Sequence, residues 1–154
     1  MTTAFDAIII GAGQAGPPLA RRLAAAGMSV AVIERGAFGG TCVNTGCIPT
    51  KTLIASAYAA HMARRAADFG VVVDGPVRVD MAQVKARKDA ISGRSRIGVE
   101  QSLRTLDKCT VYQGHARFRG PHGAAIHGAD PSDRLGTGPN PPRRSASGAV
   151  SSRF

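Results

Sequence analysis

Two cysteines, Cys42 and Cys47, are separated by four residues in the run Gly39-Gly40-Thr41-Cys42-Val43-Asn44-Thr45-Gly46-Cys47-Ile48-Pro49-Thr50-Lys51. The C-x4-C spacing alone could supply two zinc ligands. A structural zinc wants four, however, and Cys109 with the four histidines offers no second pair at a recognised spacing, so no metal site is expected. Redox chemistry accounts for the pair better. Pro49 marks the start of a helix, Cys47 sits just before it where the N-terminal field favours a thiolate, and Lys51 lies one turn inside. Three cysteines are too few for a disulfide framework, which places this pair in a reducing, cytoplasmic setting as chemistry rather than as a staple.

A second group of residues is suited to a diphosphate. Gly11, Gly13 and Gly16 make the spacing G-x-G-x-x-G. The first glycine permits a tight turn, the second lets backbone approach a pyrophosphate, and the third lets the following helix pack closely on the strand. The phosphate then meets the amides and positive dipole end of a helix beginning near Gln14. Glu34 follows about ~20 residues on, where a carboxylate accepts from ribose hydroxyls and repels a 2′-phosphate.

The elements needed to hold these groups are legible. Residues 6–11 (DAIIIG) read as a strand buried on both faces of a parallel sheet. Residues 14–27 read as a helix whose Pro17 and Pro18 fit only its first turn, and residues 29–34 (SVAVIE) as a second strand. Strand, helix, strand predicts an α/β, Rossmann-like domain with a parallel sheet. After the cysteines comes a long alanine-rich helix, then a short strand at Val71 to Val73. Asp80 is a candidate N-cap for a second long helix reaching about Leu106, with a kink or break expected at Gly93 or Gly98. Residues 109–112 and 116–118 read as strands flanking a turn at Gly114.

Composition bounds the rest. The chain has 154 residues and a formal net charge of +10, which invites a nucleic-acid partner. The basic residues are scattered, though, Trp is absent, and no RNA or zinc-finger motif occurs, so none is expected. Lys85, Arg87, Lys88, Arg94, Arg96 and Arg104 read as a solvated helix face, and Cys109 as a buried structural thiol. No run approaches the ~18 apolar residues of a membrane span, and the acid in MTTAFDAIII argues against a signal peptide. Residues 120–154 hold six Gly and five Pro in thirty-five positions, too little apolar matter for a core. They are expected to be a low-complexity, disordered or frameshifted tail, with the ordered unit, 1–119, ending near Arg119.

With these residues in hand, DAIIIGAGQAG, GGTCVNTGCIPTK and GHARF together resemble the FAD domain of the flavin-dependent pyridine nucleotide-disulfide oxidoreductases. The likeness covers about the first 119 residues and leans toward the branch with mercuric reductases and dihydrolipoamide dehydrogenases, beside glutathione reductases. It implies an incomplete FAD-binding domain in which Gly11, Ala12, Gly13, Gln14, Ala15 and Gly16 cradle the FAD diphosphate and Glu34 takes the adenosine ribose. Gly40, Thr41 and Cys42 would line the cofactor, Lys51 approach the flavin ring, and the backbone of Ala116 contact the adenine side. By similarity, an exposed Cys42 attacks the substrate while a shielded Cys47 lies against the flavin. NAD(P)H is the implied electron donor, and a small-molecule disulfide or a metal ion the implied substrate. His115 reads as a turn residue.

The same resemblance sets out expected absences. Relatives carry a separate NAD(P)H domain, but the nearest second glycine cluster, Gly136-Thr137-Gly138-Pro139, runs into proline and follows no strand. The family is homodimeric and closes its site with a partner's His and Glu, and no histidine here has a Glu five residues on. A chain that is truncated, weakly active or inactive is therefore expected. The alternatives are a non-catalytic FAD-binding fragment or an unfolded truncation product.

Overall fold

The computed structural model describes residues 2–127 and 149–152. They form seven strands, β1 (Thr2–Phe5), β2 (Ala7–Ile10), β3 (Val30–Glu34), β4 (Cys109–Gln113), β5 (His115–Gly120), β6 (Gly123–His127) and β7 (Ala149–Ser152). The helices are α1 (Gly16–Ala25), α2 (Gly40–Asn44), α3 (Cys47–Arg64) and α4 (Met81–Arg104), with a short 3-10 turn at Ala66–Phe69. The chain divides into two compact units, Met1–Gly40 with Ile97–Phe154, and Thr41–Arg96.

The first unit contains the expected parallel sheet, in the order β2-β3-β4. Its centre is β3, whose Val30, Ala31, Val32 and Ile33 are all buried because each face is covered. On one face Val30, Val32, Ile9 and Cys109 pack with Ala12, Ala20, Phe38 and Leu103. On the other, Ala31 and Ile33 meet Phe5, Ala124 and Ile126. Asp6 and Ser29 clasp the entry to the sheet: the Ser29 amide and hydroxyl donate to Asp6 Oδ2 at 2.8 and 2.7 Å. The expectation for the opening strand needs correcting, since β2 is an edge of this sheet and Ile10 is 48% exposed. A continuous apolar run cannot distinguish a central strand from an edge.

A second sheet, β1-β7-β6-β5, was not foreseen. Its β1 and β7 pair in parallel, while β5 with β6 and β6 with β7 are antiparallel. Strands β6 and β7 lie beyond the boundary expected near Arg119. In β6 the alternation of Ala124 and Ile126, both buried, supplies an inward face that overall glycine and proline content concealed. The remainder of the expected tail, residues 128–148 and 153–154, lies outside the described residues, and with it the Gly136 cluster.

The second unit holds the two cysteines and the long helix they introduce. Asp80 caps α4 as expected, its Oδ1 accepting from the amides of Ala82 and Gln83 at 2.9 and 3.0 Å. Contrary to expectation, α4 is helical through Gly93 and Gly98. A cost of ~1 kcal/mol per glycine is too small to interrupt a helix so well started. The expected strand at Val71 to Val73 does not form. Without a neighbouring strand its backbone has no ladder to join, and Val72 is 87% exposed. Arg87 ties α4 to α3, donating from Nη1 to the Thr52 carbonyl at 3.0 Å and to Ser56 Oγ at 3.3 Å. Among the described residues, no helix is long and apolar enough to cross a membrane.

Candidate functional site

The glycine turn joins β2 to α1. Gly11 adopts φ +101°, which a side chain would strain, and its amide donates to the Ile33 carbonyl at 2.7 Å. A Cβ on Gly16 would lie 2.3 Å from the Gly11 carbonyl oxygen, so this helix start can approach its strand only as glycine. A Cβ on Gly13 would meet nothing within 4 Å, leaving that backbone open to a ligand. The tight turn at Gly11 and the close helix–strand approach at Gly16 are thus the shapes their spacing implies. The helix starts at Gly16 with Ala15 as N-cap, slightly later than expected, and both prolines fall in its first turn. Gln14 and Ala15 are exposed beside it.

Ala12, which the resemblance places in the diphosphate cradle, is the most enclosed residue of the turn. It is fully buried, its N–H donates to Glu34 Oε2 at 2.8 Å, and its carbonyl accepts from the Gly39 amide at 2.8 Å. Both backbone groups of Ala12 are therefore engaged inside the protein. Glu34 is half-buried at the end of β3, and its other oxygen accepts from the Gly36 amide at 2.8 Å. The Gln14 side chain reaches the Gly39 carbonyl at 3.4 Å, and Gly40 packs closely against Gly13. Gln113 Nε2 donates to the Gly36 carbonyl at 2.9 Å, and the Gly114 amide to the Glu34 carbonyl at 2.8 Å. Ala116, on β5, pairs in register with Ile126 and packs against the core beneath it.

The cysteine pair belongs to the second unit. Cys42 lies in the short α2, and Cys47 is the first residue of α3 with Gly46 as its N-cap. A Cβ on Gly46 would stand 2.9 Å from the Thr41 carbonyl oxygen, so glycine is what lets the chain double back between the two cysteines. Both thiols are free. A hydrogen bond between them is the main cause that raises the Cys42 thiol above its ordinary range, with desolvation adding to it. The Cys47 backbone N–H, hydrogen-bonded to the Cys42 sulfur, and the Lys51 charge pull the other way. The α3 amide end and Lys51 thus act on Cys42 as well as lying beside Cys47. Exposure is the reverse of that implied: Cys47 is exposed and Cys42 half-buried. Thr41 and Lys51 are exposed.

Sequence reasoning missed Gly36, Gly46 and Gln113. Gly46 carried a signal in the tight Thr-Gly-Cys run, whereas Gln113 carried none, because its partner is 77 residues away. Cys109 is buried as expected, and that burial pushes its thiol up to about 11. Among the described residues, no three His, Cys, Asp or Glu side chains converge as a metal site.

A glycine turn on a parallel β-α-β unit, together with a pair of thiols at a helix start, defines an α/β protein of Rossmann-like build with a paired-cysteine segment. Comparison with known proteins makes this specific: the family described as pyridine nucleotide-disulphide oxidoreductase matches residues 5–127, and the chain belongs to it. The dihydrolipoyl dehydrogenase of Chlorobaculum parvum is 38% identical over 130 residues, covering 84% of this chain and 27% of that protein. That of Bacillus subtilis is 39% identical over 121 residues, covering 79% and 25%. Among solved structures, the Cu(II) complex of the HOCl-induced flavoprotein disulfide reductase RclA from Escherichia coli superposes with a TM-score of 0.67 at 30% identity, covering 97% of this chain and 27% of RclA. The chain spans about a quarter of the length of these relatives.

Proposed function

We propose that this chain carries the flavin seat and the redox dithiol of a disulfide oxidoreductase. The observation that carries the reading is the placing of Cys42 in α2 and Cys47 at the start of α3, folded back on each other by the tight turn at Gly46, in a chain of this family that also holds the glycine turn. The residues suit FAD: Gly13 is open to a diphosphate, the amides of Gly13, Gln14 and Ala15 stand at the start of α1, and Glu34 keeps acceptor capacity for a ribose. FAD, when bound, supplies the two-electron link between NAD(P)H and the cysteine pair. Gly40, Thr41 and Lys51 are assigned to the flavin and Ala116 to the adenine side.

The dithiol acts by exchange. Loss of its proton makes Cys42 a nucleophile, and its sulfur attacks a substrate disulfide, forming a mixed disulfide and expelling one thiolate. Cys47 then attacks the Cys42 sulfur, releasing the second substrate thiol and leaving the Cys42–Cys47 disulfide to be reduced again. The Cys47 amide and Lys51 pull toward the Cys42 thiolate, but the bond from the neighbouring thiol and desolvation outweigh them and hold its proton more tightly than in a free thiol. A small-molecule disulfide is the substrate class, supported by the disulfide reductase RclA; run in reverse, the same exchange oxidises a dithiol, as the dihydrolipoyl dehydrogenase name denotes. A metal ion is the second reading, favoured by the Cu(II) complex in which RclA was solved. The setting is a reducing cytoplasm and the working assembly a homodimer.

Hydride entry from NAD(P)H belongs, in this reading, to parts of the family beyond residues 5–127. The test is to purify the 154-residue chain with FAD. It is expected to be yellow, to show a long-wavelength thiolate-to-flavin band on reduction that Cys47→Ser abolishes, and to lack steady NAD(P)H oxidation. A folded, colourless protein that refuses added FAD overturns the flavin reading. Sustained NADPH oxidation with a disulfide substrate overturns the division of labour.

A further inference from the structure

We propose that Glu34 is a positioning residue for the diphosphate turn, locking its shape through the Ala12 amide before any ribose arrives. The inference rests on reading the turn as a dinucleotide seat, and the lock itself lies wholly in the first unit. A turn containing Gly11, Gly13 and Gly16 has wide backbone freedom, so something outside it must select the shape that presents amides to an anion. The Ala12 peptide is gripped at both ends, its N–H by Glu34 Oε2 and its carbonyl by the Gly39 amide, each at 2.8 Å. Ala12 is fully buried, so water does not compete for either bond.

The carboxylate is itself fixed. Gly36 donates to Oε1, Gln113 holds the Gly36 carbonyl, and the Gly114 amide holds the Glu34 carbonyl, so strand β4 and the loop after β3 set where the acceptor stands. Two amides converging on two oxygens require a carboxylate. A glutamine in either flip turns an NH2 group toward one of the two donors. Each oxygen retains a lone-pair direction, so the lock does not preclude a later bond from a diol.

Charge and lock predict opposite signs for a probe that has no ribose. Removing a negative charge beside an anion seat should tighten inorganic pyrophosphate, whereas losing the lock should weaken it. The experiment follows amide hydrogen exchange and pyrophosphate titration by NMR on the full chain without flavin, in wild type, Glu34→Gln and Glu34→Asp. In Glu34→Gln, Ala12 exchange is expected to rise by about tenfold or more, and pyrophosphate to bind several-fold more weakly. Glu34→Asp keeps the charge but withdraws the acceptor, and is expected to move in the same direction; it decides the matter if the glutamine variant does not fold. Unchanged Ala12 exchange, or tighter pyrophosphate in Glu34→Gln, overturns the lock. A wild-type chain that protects Ala12 but does not take up FAD overturns the flavin reading and leaves the lock standing.

Discussion

The glycine turn and the cysteine segment solve the problem of placing reactive groups in different ways. In the turn, backbone does the work: Ala12 and Gly16 are buried, and the amides of Gly11, Ala12, Gly36 and Gly39 all have partners inside the protein. In the cysteine segment, side chains do it: two thiols share a hydrogen bond, a helix-start amide and Lys51 tune one of them, and Cys47 and Lys51 are exposed. Geometry that rests on packing tolerates little change, whereas chemistry that rests on electrostatics tolerates changes of shape but is sensitive to charge. The proposed function calls on both, a rigid anion seat and an adjustable sulfur pair.

The largest effect expected from this contrast is at Gly16. Alanine there forces a Cβ to 2.3 Å from a backbone oxygen, which only movement of the helix against the strand can relieve. A loss of about 3 kcal/mol or more in urea unfolding is expected, with loss of FAD binding. A loss under about 1 kcal/mol would mean that the turn adapts freely.

The next effect is pH-dependent. Cys109, buried in the core of the first unit, is raised from 9.0 to about 11, so between those values the unfolded chain releases a proton that the folded chain keeps. The folded state binds more protons in that window, hence stability falls as pH rises from 9 to 11, by up to ~2 kcal/mol. Denaturation midpoints across this range check it, and Cys109→Ala should flatten the decline.

Smaller effects belong to the second unit. Asp80→Ala removes the acceptor for two amides at the start of α4 and should cost about 1 kcal/mol, with fraying of the first turn visible by amide exchange. Asp89 is held below the usual carboxylate range chiefly by its hydrogen bond with Lys85, and then by Lys88, yet these groups lie at the surface. Lys85→Ala should therefore leave the denaturation midpoint almost unchanged, and raised salt should erase any difference. A larger change at Lys85 than at Asp80 would reverse the ranking of packing over surface charge.

Much of the site was legible because its requirements are local. The spacing of Gly11, Gly13 and Gly16, the β-branched run ending at Glu34, and the pair Cys42 and Cys47 before Pro49 each specify a short-range shape that any fold around them must respect. Asp80 announced a helix start for the same reason. What misled was also local: Val71 to Val73 had strand composition without a partner, and the glycines of α4 had helix-breaking propensity without the energy to break it.

The sequence by itself determined the βαβ opening, the glycine turn, the paired cysteines and the family they belong to, because these follow from backbone sterics and from spacings of a few residues. Only the tertiary structure decided that Ala12 is held from both sides, that Gln113 reaches Gly36, that β2 is a sheet edge, and that Gly123–His127 and Ala149–Ser152 complete a second sheet. Those outcomes depend on which distant segments pair. Pairing is fixed by the summed burial and hydrogen bonding of the whole chain, which no short window of residues contains.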